Sequence, residues 1–437
     1  MLEYLHLNNV GPAPEMELEL AERLNLFTGD NGLGKSFLLD VAWWALTRRW
    51  PRDLNPGLTS GYAARPTDVR REAKIRFRLT TKTGSKEYES HYVPRDEAWT
   101  GRQGRPWNPG LVIYAHADGG FSVWDPARNY WKTKGKVDIQ DRLPGYVFTT
   151  GDVWNGLTIP MDDGKVLACR GLLADWASWI KEKGEDAVKM AAVLESLSLP
   201  DDPIRPGPVT RLSINDARDI PTIETPQGTY VPVVHASAGV RRVAALAYML
   251  MWSWNEHRLA ARSLGEDETH QVVLLVDEIE SHLHPRWQRS ILRSLLEVAG
   301  RLHESATVQL LTITHSPLIL ASAEPLFDPA QDAWFDLDLD KDSREVRIEK
   351  RDFERHGEVS SWLVSDAFDL GSARSLEAEA ALEEAAVALS DPAFDRDQAR
   401  AIDTKLRSVL GALDPFWMRW RFVGEKKGWL PERAAQD

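Results

Sequence analysis

GDNGLGKS, residues 29–36, carries glycine at its first and sixth positions and ends in Lys-Ser, the spacing of a loop that wraps a phosphate chain. It follows an apolar run, Leu24–Thr28, and precedes a stretch with helical spacing, Phe37–Leu46. Strand, loop and helix in that order bring the first N–H groups of a helix, and the positive end of its dipole, to an anion. In such a loop Gly29, Asp30, Asn31, Gly32, Leu33 and Gly34 turn backbone N–H groups inward, Lys35 reaches the β- and γ-phosphates, the Ser36 hydroxyl joins a Mg²⁺ shell and Phe37 opens the helix. The expectation is a nucleoside triphosphate site, and the loop alone does not name its task.

Composition narrows the class. The 53 basic and 66 acidic side chains of this 437-residue chain leave a formal charge of -13, which argues against a broadly basic, DNA-coating surface and leaves room for a local basic groove. A single cysteine, Cys169, excludes an internal disulfide and any cysteine-rich metal site, and suits a reducing cytoplasm. The opening MLEYLHLNNV lacks a charged segment followed by an apolar one, and no run approaches the length of a membrane span. A cytoplasmic protein without membrane contact is expected. The length suits one large, insertion-bearing domain or two to three smaller ones. Of the 18 tryptophans, Trp43, Trp44, Trp176 and Trp179 stand at helical spacing beside aliphatics, as core residues do.

Periodicity lays out the chain. Glu3–Asn8 and Glu15–Leu20 alternate like strands around the turn-forming stretch Asn9–Pro14. Ala73–Leu79 and Lys86–Val93 alternate like a hairpin turning at Lys82–Ser85, and a further β-rich stretch covers Val112–Trp131. Together they predict an antiparallel β insertion over 52–145. Residues 171–197 predict one or two amphipathic helices, Pro200–Pro208 breaks the pattern, and Leu212–Val234 is hairpin-like, so a helical lobe and hairpin occupy 165–235. Val243–Trp254 is a long apolar-faced helix. Gln271–Val276 has no polar interruption after its first residue, as a central strand buried on both faces requires, and Gln309–Thr314 is a similar candidate. A hairpin over Ala333–Glu349 follows, then a helical hairpin, Ser375–Ser390 and Asp397–Leu413, and an aromatic-basic tail.

Asp277 and Glu278 close the Gln271–Val276 strand, where a parallel sheet would turn them toward the phosphate loop. Asp277 there suits Mg²⁺, and Glu278 suits the general base that polarises a water for in-line attack. His315, after the second buried strand, is placed to reach the γ-phosphate.

These residues resemble a known family. LLVDEIESHLHP, residues 274–285, and LLTITHSPLIL, residues 310–320, look like the Walker B, D-loop and switch-histidine segments of ABC-type ATPases, above all the prokaryotic OLD-family ATPases and the RecF and SMC-like heads. The resemblance covers about 1–50, 230–290 and 305–320 in the family's order. It implies an α/β fold: an ABC-type P-loop ATPase core over 1–370 with the antiparallel β insertion and helical lobe inside it, and a C-terminal helical hairpin and tail over 371–437. It also implies ATP and Mg²⁺, hydrolysis by Glu278 with His315 and Lys35, and a head-to-head homodimer or higher oligomer in which a signature loop of one copy meets the nucleotide of the other. Ser237, Ala238 and Gly239, followed by Val240, Arg241 and Arg242, match that loop. They depart from the Ser-Gly-Gly-Gln run of transporters and fit the soluble relatives. Gln140 is the candidate for the glutamine that many relatives place between core and lobe.

By the same resemblance His282 and His284 belong to the D-loop and its following turn rather than to a metal site. Asp336, Asp338 and Asp340 share one face of a strand expected to be a solvated edge. Beyond His315 the chain lacks the strand order of a toprim nuclease, and no helix predicts a coiled-coil arm. The leading expectation is an ATPase that controls a separate effector from a neighbouring gene, as isolated relatives do in phage defence. Two others stay open: a RecF-like repair factor that binds duplex DNA through Arg48, Arg49 and Arg52 or Arg419, Arg421, Lys426 and Lys427, and a scaffold that ATP assembles with negligible turnover.

Overall fold

The computed structural model describes residues 1–437 apart from 82–83, 102–107, 130–141, 162–163, 200, 303–305, 341, 369, 392 and 430–437. Strands β1 (Leu2–Asn8) and β2 (Glu15–Glu19) pair antiparallel, and β3 (Leu24–Gly29) runs into the phosphate loop and α1 (Lys35–Thr47). After a short α2 (Pro51–Leu54), β4 (Lys74–Thr81), β5 (Gly84–Val93) and β6 (Ala98–Trp99) extend the first pair into an antiparallel sheet of order β2-β1-β4-β5-β6. The antiparallel insertion is therefore real, but Val112–Trp131 is not part of it. β7 (Leu111–Ala115) pairs in parallel with β15 (Gln271–Val276), and β8 (Phe121–Trp124), the short α3 (Pro126–Asn129) and β9 (Tyr146–Phe148) follow at the sheet's far side. The physical reason lies in the sequence Leu-Val-Ile-Tyr-Ala, every residue of which is buried, as a strand covered on both faces demands.

β16 (Thr307–Ile313), β17 (Asp332–Leu339) and β18 (Val346–Arg351) complete a central sheet of order β18-β17-β3-β16-β15-β7-β8-β9. Its middle, from β17 to β7, is parallel throughout. The C-terminal ends of β3, β16 and β15 thus lie side by side, which is where doubly wound sheets place their sites. A buried glutamine ties the two sheets together. Gln309 on β16 accepts from the Leu2 N–H at 2.8 Å and donates to the carbonyls of Leu2 at 2.7 Å and Ala21 at 2.9 Å. The tryptophans of α1 fill the space between the sheets, with Trp44 stacked on Trp50 at 5.4 Å and edge-on to Phe77. Trp43, Trp44 and Trp176 are buried and Trp179 is half-buried, as expected of core residues.

The lobe comprises α4 (Thr150–Asn155), the hairpin β10 (Leu157–Met161) and β11 (Gly164–Cys169), α5 (Leu172–Glu182), α6 (Glu185–Leu197) and a small sheet of β12 (Arg205–Thr210), β13 (Ile220–Glu224) and β14 (Tyr230–Pro232). β12 takes in part of the proline-rich break, because Pro206 and Pro208 sit on an edge strand, where a missing N–H costs no ladder bond. α7 (Ala238–Leu264) is more than twice the length that its apolar stretch suggests. α8 (Pro285–Leu302) and α9 (Pro317–Ala323) cover the sheet after β15 and β16.

Contacts divide the chain into two compact units, Met1–Gly357 and Glu358–Asp437. The second contains α10 (Val359–Leu363), the expected helical hairpin as α11 (Leu376–Ser390) and α12 (Arg396–Val409), and a further helix, α13 (Phe416–Lys426), in the aromatic-basic stretch. Ala378, Ala381, Ala385 and Ala388 line one side of α11, and Trp417, Trp420 and Trp429 are buried in the same cluster. Among the described residues no helix is long and apolar enough to cross a membrane.

Candidate phosphate-binding and catalytic site

The phosphate loop is shaped by what surrounds it. Gly29 has φ +124°, and a Cβ there would run into the Leu337 carbonyl of β17, so a side chain would force β3 and β17 apart. Gly34 caps α1 at φ +91°, with Pro12 Cγ only 2.5 Å from where a Cβ would stand. Both positions need glycine for conformation and for space. Asp30, Asn31 and Gly32 form an exposed rim, Leu33 is buried in the core beneath, and Phe37 packs on that core half-buried. Lys35 is 5% exposed, and its ammonium bridges the loop by donating to the carbonyls of Gly29 at 2.7 Å and Asp30 at 2.6 Å. Burial brings its pKa down to about 8, opposed by the carboxylates of Asp30, Asp277, Asp336 and Glu278.

β15 delivers the acidic pair. Asp277 is 2% exposed, its N–H donates to the Ala115 carbonyl at 2.9 Å, and its carboxylate accepts from the Ser36 hydroxyl at 3.1 Å. Burial pushes its pKa up to about 6, against the Ser36 bond and the Arg242 charge. Glu278 is half-buried with φ +50°, a left-handed conformation that costs a residue with a Cβ about 1 kcal/mol or more and is typical of active sites. His315 follows β16 on the neighbouring strand end and is half-buried. Burial, and then the Lys35 charge, hold its imidazole below the ordinary histidine range, so the ring is neutral at pH 7 and one nitrogen is free to accept.

Two carboxylates take part in ways that the sequence does not lead one to expect. Glu280 accepts from the His315 N–H at 2.6 Å and the Thr314 hydroxyl at 2.8 Å, so it positions the histidine loop from the strand next door. The available signal was a third carboxylate in the Asp-Glu-Ile-Glu run. Asp336 is the other. The acidic run is not a solvated edge, because β17 lies between β3 and β18. Asp336 is 3% exposed and accepts from the Thr28 hydroxyl at 2.8 Å beneath the loop, while Asp338 is exposed. Alternation along a strand permitted both readings, and the parallel pairing with β3 decides between them.

Ser237 caps α7, its hydroxyl accepting from the Val240 N–H at 3.4 Å, and it is exposed. Gly239 is buried against α8, where a Cβ would lie 2.8 Å from Trp287 Cζ3 and 3.0 Å from the His282 carbonyl. Its local role is close packing of the start of α7 on the turn that leads into α8. His282 has φ +64°, and His284 Nδ1 accepts from the Arg286 N–H at 3.2 Å as α8 begins. Gln140 lies outside the described residues. Of the basic candidates for a DNA groove, Arg48 stacks on Trp44 at 3.9 Å and donates to the Thr100 carbonyl at 2.8 Å, and Arg52 donates to the Leu58 carbonyl and covers Tyr62. Lys427 donates to the Asp391 carbonyl at 2.7 Å and Arg421 covers Trp417, whereas Arg49, Arg419 and Lys426 are exposed.

A divalent cation fits this donor set. A hydroxyl and a carboxylate oxygen, already in contact, are hard ligands of the kind Mg²⁺ takes together with phosphate oxygens. Among the described residues no group of three or more His, Cys, Asp or Glu is placed to hold a metal ion, so phosphate oxygens and water would have to complete the shell of an ion here.

The model of the family described as "AAA domain, putative AbiEii toxin, Type IV TA system" matches residues 24–321. Among solved structures, the chain is similar to an SMC head bound to the C-terminal winged-helix domain of ScpA, with 12% identity over 81% of this chain and 98% of that one and a TM-score of 0.42. It is similar also to the SMC head domain of Thermotoga maritima, at 12% identity over 80% and 99% with a TM-score of 0.38. The recombination mediator RecF matches at 14% identity over 80% and 98%, with a TM-score of 0.38.

Proposed function

The chain belongs to the AAA-domain family, and on that premise we propose that it binds and hydrolyses ATP with Mg²⁺ as an ABC-type head and uses the cycle to control a separate effector. The observation that carries the reading is the contact between the Ser36 hydroxyl and the Asp277 carboxylate at 3.1 Å, which joins the phosphate loop to the end of β15. Bound there, Mg²⁺ would offset phosphate charge and orient the γ-phosphoryl group.

The residues around it divide the remaining work. Lys35 exchanges two loop carbonyls for β- and γ-phosphate oxygens, a substitution in which an ammonium gains charged acceptors. Glu278 stands one residue past the metal ligand, with its backbone turned left-handed, and takes the proton of the attacking water. His315, neutral and held by Glu280, donates to or accepts from the γ-phosphate region as the bond breaks. The exposed Ser237 and the N–H groups that open α7 offer donors to a nucleotide on a second copy, so the working form is an ATP-closed dimer. A partner from a neighbouring gene, in a phage-defence system or in a toxin system of the kind that the family's description names, would read the closed state. Phosphate release tests this directly. Wild-type protein turns over Mg-ATP while Lys35→Ala and Glu278→Gln are at background; equal rates in all three would remove the site assigned here.

A further inference from the structure

The second turn of α7 opens on a cation to which none of these roles has been given. Arg242 stands five residues past Ser237, with Nη2 donating to the His116 carbonyl at 2.8 Å. Its Nη1 is buried with no hydrogen-bond partner. The end of β7 that receives this bond also holds the metal-ligand position, since the neighbouring Ala115 carbonyl accepts from the Asp277 N–H at 2.9 Å. Two successive carbonyls, the last of β7 and the one that follows it, therefore hold α7 and the end of β15 side by side. Arg242 also lines, with Ala115, Val276 and Ile279, a cavity of about 20 Å³ beside that strand, room for one water.

A guanidinium with an unpaired buried nitrogen is costly unless its charge is balanced nearby. The carboxylates whose fields reach it are Asp118, Asp277 and Glu278. Two of the three are the metal ligand and the general base. A neutral glutamine could supply the single bond to His116, so that bond alone gives no reason for the charge.

We propose that Arg242 is a positioning residue that couples the nucleotide site to the signature helix of the same subunit. A divalent cation at Asp277 takes away part of the charge that balances Arg242, and the first turn of α7, which presents Ser237, shifts in response. By reciprocity, a second copy that engages Ser237 strengthens nucleotide binding in the subunit that presents it. The inference rests on the ATP-site reading above.

Hydrogen–deuterium exchange of the full-length protein tests the coupling without turnover. The probe is the non-hydrolysable analogue AMP-PNP, added with Mg²⁺ or with EDTA, and the readout is exchange at residues 238–246. Wild-type protein should change exchange there at least about fivefold more with Mg²⁺ than with EDTA, the scale of an ordinary coupling between sites. Arg242→Gln should bind Mg-AMP-PNP and lose that difference, and Arg242→Lys should restore it. An unchanged difference in Arg242→Gln, or a Lys variant that behaves like Gln, overturns the proposal. If Arg242→Gln does not fold, the wild type still decides, because equal exchange with Mg²⁺ and EDTA overturns a cation-driven coupling. Wild-type protein that binds no AMP-PNP would overturn the ATP site itself, and the coupling with it.

Discussion

Lys35 keeps its ammonium against two carbonyls of its own loop while four carboxylates surround it. Replacing it with alanine removes a full positive charge from the phosphate loop, so Lys35→Ala should weaken ATP binding by at least about 100-fold, measured by titration with a fluorescent ATP analogue. Glu278 differs in kind. Glu278→Gln keeps the side-chain volume and the left-handed backbone but removes the base, so ATP affinity should stay while turnover falls by about 100-fold or more. Cys169 makes a third case, away from the site. Its thiol is buried beside the Tyr248 hydroxyl at 3.0 Å and burial pushes its pKa up to about 11. Iodoacetamide at pH 8 should leave the native protein unlabelled and add one equivalent in denaturant; labelling of the native state would mean that the lobe opens.

Among the elements, the junction of α7 with α8 makes the sharpest demand on side-chain size. Gly239→Ala inserts a methyl against Trp287 and the His282 carbonyl, which should cost about 1–3 kcal/mol by overpacking, and Trp287→Ala in the same chain should recover part of the loss. Thermal melts of the two single variants and the double variant measure this; additive losses would mean that the two residues do not meet. Most of the site was legible because its chemistry is local: Gly29–Ser36 and Asp277–Glu278 are each a contiguous run at a strand end. What escaped was non-local. Leu111–Ala115 is five buried residues, too short for periodicity to separate a central strand from an insertion. Asp336 and Glu280 owe their roles to partners on β3 and just past β16, distant in sequence. Gln309 was placed in the correct strand, but its amide serves the backbone of β1 some 300 residues earlier, a bond that no pattern announces.

At the scale of the molecule, each compact unit has its own core, so a two-state treatment of unfolding does not apply to the whole chain. Trp420 is fully buried in the second core and its Nε1 donates to Asp403 at 3.0 Å. Trp420→Ala should destabilise residues 358–437 by about 3–5 kcal/mol, seen as an earlier calorimetric transition. A single unshifted transition would contradict the division. The first unit contains every residue assigned to the candidate nucleotide site, and under the proposed function its exposed Ser237, which also caps α7, meets a second copy. The most direct test of that claim is the native mass of the Glu278→Gln protein with and without Mg-ATP. The account predicts a mass that doubles, or rises further, with Mg-ATP. A mass that nucleotide leaves unchanged, in protein shown to have ATP bound, would contradict it.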